Sequence, residues 1–220
     1  PIDWRTLNRS LAARTSPEPD APTGNGRAIA IHCAREGAVV VCADRDEATA
    51  RETAELIRGE GGEADVVLGD VASEPDCAAI VAGAGALTGV VCNVGIGRGM
   101  GLAHTSADDW DTTLTVNLRS HFLLAKEALP LLPEGGAIVF IGSVAGLQPG
   151  SRLPAYDASK AGLVGLCRHV ALEGARRRVR ANLVAPGLID TPLGRNASRG
   201  RPSRERTPVP LGRQGTAWEV

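Results

Sequence analysis

Short apolar runs alternate with amphipathic segments from residue 24 onward. The first run, AVVVCAD at residues 38–44, is rich in valine and carries no polar residue before its last position. Such runs are typical of strands buried on both faces of a sheet, whereas the segments between them repeat apolar residues at helical spacing. The predicted strands are 38–44, 64–70, 89–95, 136–143 and 179–187, and the predicted helices are 27–37, 45–62, 74–84, 107–129 and 155–174.

Strands that alternate with helices of this length join a parallel sheet through right-handed crossovers. The pattern therefore predicts an α/β fold, with a doubly wound parallel sheet in a single domain at residues 23–220. Residues 1–22 differ, because Trp4, Leu7 and Leu11 fall at helical spacing and three prolines follow them. We expect an N-terminal extension there.

Composition excludes several classes of protein. The chain has 220 residues and a net charge of −1, so nucleic acid is not an expected partner. No apolar run approaches the roughly 18–20 residues of a membrane span, and the N-terminus lacks the apolar centre of a signal peptide, which favours a cytoplasmic location. The five cysteines form no C-x-x-C pair and the four histidines lack ligand spacing, so we predict no metal site.

Polar or turn-forming residues follow every predicted strand. Ligands of such sheets bind beyond the carboxyl ends of the strands, so these positions predict a nucleotide crevice. The residues concerned are Asp44, Asp70, Asn93, Val94, Gly95, Ser143, Pro186 and Gly187.

The loop TGNG lies directly before the first predicted helix. Gly24, Asn25 and Gly26 would let a pyrophosphate approach the N-terminus of that helix. Asp44 ends the next strand, where a carboxylate accepts hydrogen bonds from the adenosine ribose and repels a 2′-phosphate, which favours NAD. Arg45 is able to reach a 2′-phosphate and leaves NADP as the alternative, but a solvated arginine at a helix start is the simpler interpretation.

The segment YDASK contains the only tyrosine, Tyr156, and one of two lysines, Lys160. At a helix start the i, i+4 spacing puts both side chains on one face, and an adjacent cation favours a phenolate. A tyrosine with a lowered pKa can exchange a proton with a substrate oxygen. Ser143 follows the neighbouring strand and is able to hydrogen-bond the same oxygen. Together these residues predict proton-transfer chemistry beside a nucleotide.

These motifs resemble the short-chain dehydrogenase/reductase family over residues 23–217. The resemblance rests on YDASK with Ser143 thirteen residues before Tyr156, CNVG at residues 92–95, TVNLRS around Asn117, and PGLIDT at residues 186–191. It implies a Rossmann-type domain that transfers a hydride between a nicotinamide cofactor and a ketone or secondary alcohol. The implied partners are a small carbonyl or alcohol substrate and a second subunit, because helices 107–129 and 155–174 match those that pair subunits in a homodimer or homotetramer.

The resemblance also implies a role for each matching residue. Tyr156 would be the general acid/base, with a pKa that Lys160 lowers, and Ser143 would polarise the substrate oxygen. Asn117 would bind a water that relays protons through Lys160, which also binds the nicotinamide ribose. The remaining implied cofactor contacts are Asp70 and Val71 at the adenine, Asn93 and Gly95 along the cofactor, and Ile189 and Thr191 at the carboxamide.

The sequence departs from the family pattern at two places. The phosphate loop is shortened to TGNG, and SPEPDAP stands where the family has a buried first strand, although proline cannot occupy a central strand. The last strand of the family is also absent after GTAWEV. We therefore expect that residues near Pro22–Thr23 and beyond Val220 are missing from this sequence, and an intact mass near 22.7 kDa would contradict this.

Two alternative functions remain open. Residues 191–210 fall where the family has a substrate lid, and their five arginines would favour an anionic substrate such as an acyl thioester, although a solvated loop is the simpler interpretation. A 3-oxoacyl-thioester reductase is thus the first alternative. The shortened phosphate loop supports the second, a catalytically silent nucleotide-binding protein.

Overall fold

The computed structural model describes residues 24–148, 151–197 and 212–220 and the backbone of residues 9–14, without the side chains of residues 196 and 197. Six parallel strands form one sheet in the order β3-β2-β1-β4-β5-β6, which confirms the doubly wound fold. The strands are β1 Arg9–Arg14, β2 Val39–Asp44, β3 Ala64–Leu68, β4 Gly89–Cys92, β5 Ala137–Ile141 and β6 Arg180–Val184.

The helices follow the predicted segments closely. They are α1 Asn25–Arg35, α2 Glu47–Gly59, α3 Glu74–Ala84, α4 Ala107–Leu114, α5 Ser120–Ala128, α6 Pro154–Gly174 and α7 Pro192–Ala197. The predicted helix 107–129 is interrupted, because a π-helical turn at Thr115–Arg119 separates α4 from α5. Within the described ranges, no helix has the length and apolarity to cross a membrane.

Strand β1 corrects the expectation that the first strand is absent. Arg9–Arg14 pairs with β2 on one side and with β4 on the other, so it is a central strand and not part of an extension. The sequence RSLAAR concealed it, because it lacks the valine run of the other strands and its leucine also fits helical spacing. The proline-rich residues 15–22 lie outside the described residues, and the other domain boundaries stay predictions.

Both faces of the sheet are covered. Val41 and Ala43 of β2 belong to one buried cluster with residues of α3 and α5, whereas Val40 and Cys42 belong to a second cluster with residues of α1 and α2. Successive strand residues point to opposite faces, so this alternation shows helices on each side. Because helices cover both faces, the polar residues that follow the strands lie at the carboxyl edge of the sheet.

Candidate active site

Ser143, Tyr156 and Lys160 lie together at the carboxyl end of β5. Ser143 lies two residues after the strand, and its Oγ accepts a hydrogen bond of 3.1 Å from the Ala145 N–H, which begins a short 3₁₀ turn. Tyr156 and Lys160 lie in the first two turns of α6, one turn apart on the same face. The Ser143 side chain lies close enough to the Tyr156 phenol to act on its pKa, in the direction that lowers it. The structure thus brings the three predicted catalytic side chains together.

The ammonium of Lys160 is buried. Lys160 is 3% exposed, and its Nζ donates a hydrogen bond of 2.8 Å to the carbonyl of Ile141, the last residue of β5. No carboxylate among the described residues pairs with it. Burial lowers the pKa of Lys160 to about 8, because the charged form loses hydration that one carbonyl only partly replaces.

The Tyr156 phenol does not have the lowered pKa that the sequence predicted. Burial raises its pKa, a hydrogen bond with Ser143 acts in the opposite direction, and the charge of Asp157 adds to the increase. Lys160 Nζ lies 5.7 Å from the centroid of the Tyr156 ring and donates to a backbone carbonyl. In the protein by itself, desolvation of the phenol therefore outweighs the effect of the neighbouring cation.

Two glycines permit close backbone approach around Lys160. A Cβ on Gly146 would lie 2.5 Å from the backbone carbonyl carbon of Lys160, which no real contact allows. The turn after Ser143 therefore packs directly on the α6 backbone. A Cβ on Gly95 would lie 3.3 Å from Lys160 Nζ and 3.7 Å from the Asn117 side-chain oxygen. Gly95, predicted to line the cofactor, thus lies against the buried ammonium.

Asn117 joins three parts of the site. Its Oδ1 accepts a hydrogen bond of 2.8 Å from the Ile96 N–H, and its Nδ2 donates to the Ile96 carbonyl at 2.8 Å and to Ser159 Oγ at 3.0 Å. The π-helical turn presents this fully buried side chain to the loop after β4 and to α6. The amide is therefore occupied by protein groups, and a water bound by Asn117 would be held through its main chain.

The N-terminus of α1 fits an anionic group. Gly24 is the N-cap residue and supplies no side-chain hydrogen bond, and the first turn contains no acidic residue. By contrast, α2, α3 and α4 are capped by the side chains of Asp46, Ser73 and Ser106. The Oδ1 atom of Asn25, between Gly24 and Gly26, is buried without a hydrogen-bond partner. Free N–H groups at this end of a helix are suited to a pyrophosphate.

Asp44, Arg45 and Asp70 lie at the ends of two adjacent strands. Asp44 is 3% exposed, and its Oδ1 accepts a hydrogen bond of 3.0 Å from the Asp46 N–H. Arg45 Nη1 lies 3.5 Å from Asp70 Oδ2, and both side chains are partly exposed. Asp70 Oδ1 also accepts a hydrogen bond of 2.9 Å from the Ala72 N–H. The arginine that is able to reach a 2′-phosphate is thus paired with an acid.

The remaining predicted cofactor residues flank the same edge. Val71 and Val94 are buried, and Asn93 is half-buried between Cys92 and Val94. The carbonyl of Pro186 accepts a hydrogen bond of 3.0 Å from the Val144 N–H, which brings Pro186 and Gly187 beside the Ser143 turn.

The segment after Gly187 leads into α7. Ile189 forms a bridge with Gly215. The Oγ1 of Thr191 accepts a hydrogen bond of 3.2 Å from the Gly194 N–H, so this hydroxyl is used at the start of α7. Arg195, one of the predicted lid arginines, pairs with Asp190 at 2.7 Å. The arginines at residues 199, 201, 204 and 206, like Thr23, lie outside the described residues.

Several contributors were not found from the sequence. The carbonyl of Ile141 and the backbone of Ile96 are ordinary main-chain groups that carry no sequence signal, and Ser159 looked like a generic helix residue. His121 is fully buried one turn after Asn117, and burial and the charge of Lys160 lower its pKa well below the usual value, against a backbone interaction with Val94. Among the described residues, no cluster of ligating side chains would bind a metal ion.

Comparison with known proteins gives consistent matches. The family model described as enoyl-(acyl carrier protein) reductase matches residues 21–220. The chain is 34% identical over 217 residues to the 3-oxoacyl-acyl-carrier-protein reductase FabG of Pseudomonas aeruginosa, covering 96% of this chain and 88% of that protein. It is 38% identical over 199 residues to the inactive 2-(S)-hydroxypropyl-CoM dehydrogenase 2 of Xanthobacter autotrophicus, covering 84% and 85%. A crystal structure of a short-chain type dehydrogenase/reductase from Mycobacterium marinum matches with a TM-score of 0.87 and 27% identity, covering 99% and 87%.

The buried Lys160 predicts a pH-dependent gain in stability when its charge is removed. Its pKa is about 8 in the folded protein against 10.5 for an ordinary lysine. Below about pH 8 the lysine is charged in both states, but its charge is buried in the folded state and hydrated in the unfolded state. This costs roughly 3 kcal/mol, and the cost disappears as pH rises from about 8 to 10.5. We expect Lys160→Met to be more stable than wild type near pH 7 by about 1–3 kcal/mol, with a smaller difference at higher pH.

Urea unfolding at about pH 6.5, 8 and 9.5 measures this difference. Lys126→Met is the matched control, because Lys126 is exposed beside Glu74 and Glu127. The control is expected to show no gain near pH 7. A Lys160→Met protein that is less stable than wild type near pH 7, or a difference that grows with pH, would contradict the prediction.

Proposed function

This chain belongs to the short-chain dehydrogenase/reductase family of oxidoreductases, and we propose that it interconverts a ketone and a secondary alcohol with NAD(H), using Tyr156 as the general acid/base. The observation that carries the proposal is the junction of Ser143, Tyr156 and Lys160 at the carboxyl end of β5. Burial of the Lys160 ammonium destabilises the folded protein. A functional role accounts for such a residue better than a structural one does.

Tyr156 exchanges the proton in the proposed reaction. Because burial raises its pKa, the phenol is protonated at neutral pH and is able to donate to the oxygen of a carbonyl substrate. Ser143 lies beside Tyr156 and would donate a hydrogen bond to the same oxygen as negative charge develops there. The nicotinamide cofactor supplies or accepts the hydride when it is bound.

Lys160 stabilises the phenolate that remains after proton donation. Its ammonium lies on the same side of α6 as Tyr156, and in this buried environment the attraction between opposite charges is stronger than in water. Asn117 fixes the loop after β4 against α6, and its implied water would connect Lys160 to solvent through a main-chain atom of the π-helical turn.

Asp44 supports NAD(H) as the preferred cofactor. A buried carboxylate at the end of β2 would accept hydrogen bonds from ribose hydroxyls and would repel a 2′-phosphate. Arg45 does not oppose this choice, because its guanidinium pairs with Asp70. Gly24, Asn25 and Gly26 would bind the pyrophosphate at the start of α1. The other residues proposed to bind the cofactor are Asp70, Val71, Asn93, Val94, Gly95, Pro186, Gly187, Ile189 and Thr191.

Two relatives favour the alternatives. The similarity to a 3-oxoacyl-acyl-carrier-protein reductase supports an acyl thioester as substrate. The similarity to an inactive 2-(S)-hydroxypropyl-CoM dehydrogenase supports the catalytically silent protein. Because Ser143, Tyr156 and Lys160 are all present and lie together at the end of β5, an active oxidoreductase remains the better proposal.

A surface groove supports assembly into a homodimer or homotetramer. The groove has a volume of about 410 Å³ and lies along α4, the π-helical turn and α5, and Phe122 is 48% exposed beside it. Its lining residues are Asp111, Leu114, Thr115, Leu118, Arg119 and Phe122. An apolar groove of this kind is suited to a second copy of the same helices.

The cytoplasmic location is a further proposal, supported by five free cysteines and tested by cell fractionation.

Tyr156→Phe is expected to lower kcat for ketone reduction by about 10³-fold, because it removes the proton donor and leaves the ring in place. Ser143→Ala is expected to lower kcat by about 10²-fold. In wild type, the rate of alcohol oxidation is expected to keep rising with pH up to at least about pH 10, since the pKa of Tyr156 is raised and the phenol stays protonated at lower pH. Steady-state kinetics measures each value, and a Tyr156→Phe enzyme with near wild-type kcat would refute the role of Tyr156.

Titration with NADH and NADPH, followed by nicotinamide fluorescence, tests the role of Asp44. We expect NADH to bind at least about tenfold more tightly than NADPH, and Asp44→Asn to reduce that ratio because the repelling charge is removed. Arg45→Ala is the control and is expected to change NADH binding little. The reverse preference in wild type would assign the 2′-phosphate to Arg45, and binding of neither cofactor would favour the silent protein.

Sedimentation or light scattering tests the assembly. We expect a mass of two or four times that of one subunit, and we expect Phe122→Asp to release monomers because it places a charge in the proposed interface. Leu56→Asp is the control, since Leu56 is 44% exposed on α2, away from the groove. A monomeric wild type would exclude the proposed interface.

A further inference from the structure

We infer that Arg98 and Arg152 form an anion-binding pair at the mouth of the Tyr156 site, so the substrate is a carbonyl compound or alcohol that also carries an anionic group. The inference rests on the proposed function, because it takes Tyr156 as the reacting site. It names the substrate class of that site.

The two arginines belong to segments that lie side by side at Tyr156. A Cβ on Gly97, the residue before Arg98, would lie 3.9 Å from Tyr156 Cδ2, so the loop after β4 lies against the tyrosine ring. The N–H of Gly101 in the same loop donates a hydrogen bond of 2.8 Å to the carbonyl of Arg152, four residues before Tyr156. The backbone therefore places one arginine on each of two joined segments beside the reacting phenol.

Neither guanidinium has an anionic partner in the described part of the chain. Both side chains are exposed, and neither makes an ion pair or a side-chain hydrogen bond with any residue that the structure describes. Most other arginines in those ranges are neutralised by a carboxylate. These are Arg27, Arg35, Arg45, Arg51, Arg119, Arg178, Arg195 and Arg213. Two unneutralised cations beside one site create a positive potential that favours an anionic ligand.

The backbone of Arg152 is held in a conformation that favours glycine. Its φ is +66°, in the left-handed region, which is unfavourable for a residue with a long side chain. Ser151 Oγ accepts a hydrogen bond of 2.9 Å from the Leu153 N–H, which stabilises the turn around it. Arg178 also has a positive φ, of +55°, but its side chain pairs with Glu134. Among the residues that the structure describes, Arg152 has no such contact, so a ligand is the better reason for an arginine there.

The loop that carries Arg98 also presents two exposed apolar side chains. Met100 is 42% exposed and Leu102 is 82% exposed, and both belong to the loop that carries Arg98. An aliphatic chain would cover these side chains while its anionic group contacts the guanidinium groups. The substrate class is thus an oxo or hydroxy compound with an aliphatic body and an anionic group, which is a carboxylate or the phosphate of a thioester carrier.

Direct binding tests the inference without catalysis. Hexanoate and hexanamide, which share an aliphatic chain and differ in charge, are titrated into the full-length protein with and without NAD⁺ and followed by NMR. We expect wild type to prefer hexanoate, and we expect Arg98→Gln and Arg152→Gln each to weaken hexanoate binding about tenfold while leaving hexanamide unchanged. Arg168→Gln is the control, because this exposed arginine lies twelve residues after Tyr156 on α6, roughly 18 Å along the helix.

Turnover distinguishes the source of the anion. Wild type and the two variants are compared with 5-oxohexanoate, its methyl ester and 3-oxobutanoyl-CoA. A loss of kcat/KM of about tenfold or more for the keto acid, with less than about twofold for the ester, supports a carboxylate. A larger loss for the CoA thioester than for the keto acid supports the carrier phosphate.

Losses that are equal for the acid, the ester and the CoA thioester, or variants that keep the wild-type preference for hexanoate, would overturn the inference. A wild type that binds hexanamide as well as hexanoate would also overturn it. If wild type turns over none of the ketones but binds hexanoate through Arg98 and Arg152, the proposed function fails and the anion-binding pair stands. The two failures are therefore separate.

Discussion

The buried ammonium of Lys160 is the constraint on which the active-site architecture depends. A charge removed from water requires a nearby polar group, and the Ile141 carbonyl supplies it at 2.8 Å. This hydrogen bond fixes α6 relative to the end of β5, and Gly146 allows the intervening turn to lie directly on the helix backbone. Ser143 and Tyr156 then reach one another because their elements have a fixed separation. The same burial lowers the pKa of Lys160 and raises that of Tyr156, so each side chain by itself favours its neutral form. When both are ionised, the attraction between ammonium and phenolate offsets part of this cost.

Asn117 extends this arrangement to the other half of the sheet. Its amide forms hydrogen bonds with both backbone groups of Ile96 and with the hydroxyl of Ser159, so it ties the loop after β4 to α6. Asn117 lies in the π-helical turn that interrupts the helix predicted at residues 107–129. We infer that the turn exists because it aligns the amide with the Ile96 backbone, in keeping with the frequent occurrence of π-turns at functional sites.

Charge is distributed differently at the two ends of the crevice. At the proposed adenosine end, Asp44 is buried and Arg45 is paired with Asp70, while the start of α1 lacks both a side-chain cap and an acid. At the substrate end, Arg98 and Arg152 have no carboxylate partner among the described residues. A cofactor that carries a pyrophosphate and a substrate that carries an anion would therefore each find a compatible surface, separated by the Tyr156 region.

The sequence by itself determined the alternation of strands and helices, the polar residues at strand ends, and the grouping of Ser143, Tyr156 and Lys160. These features depend on local periodicity and on the rule that parallel strands end at one edge, so they are readable from residue order. Tertiary structure alone decided that Arg9–Arg14 is the central strand, because its six residues carry no valine run and its identity comes from pairing with β2 and β4. It also decided the direction of the Tyr156 pKa shift and the partner of Arg45, since desolvation and ion pairing depend on what surrounds a group in space and not on its neighbours in the chain.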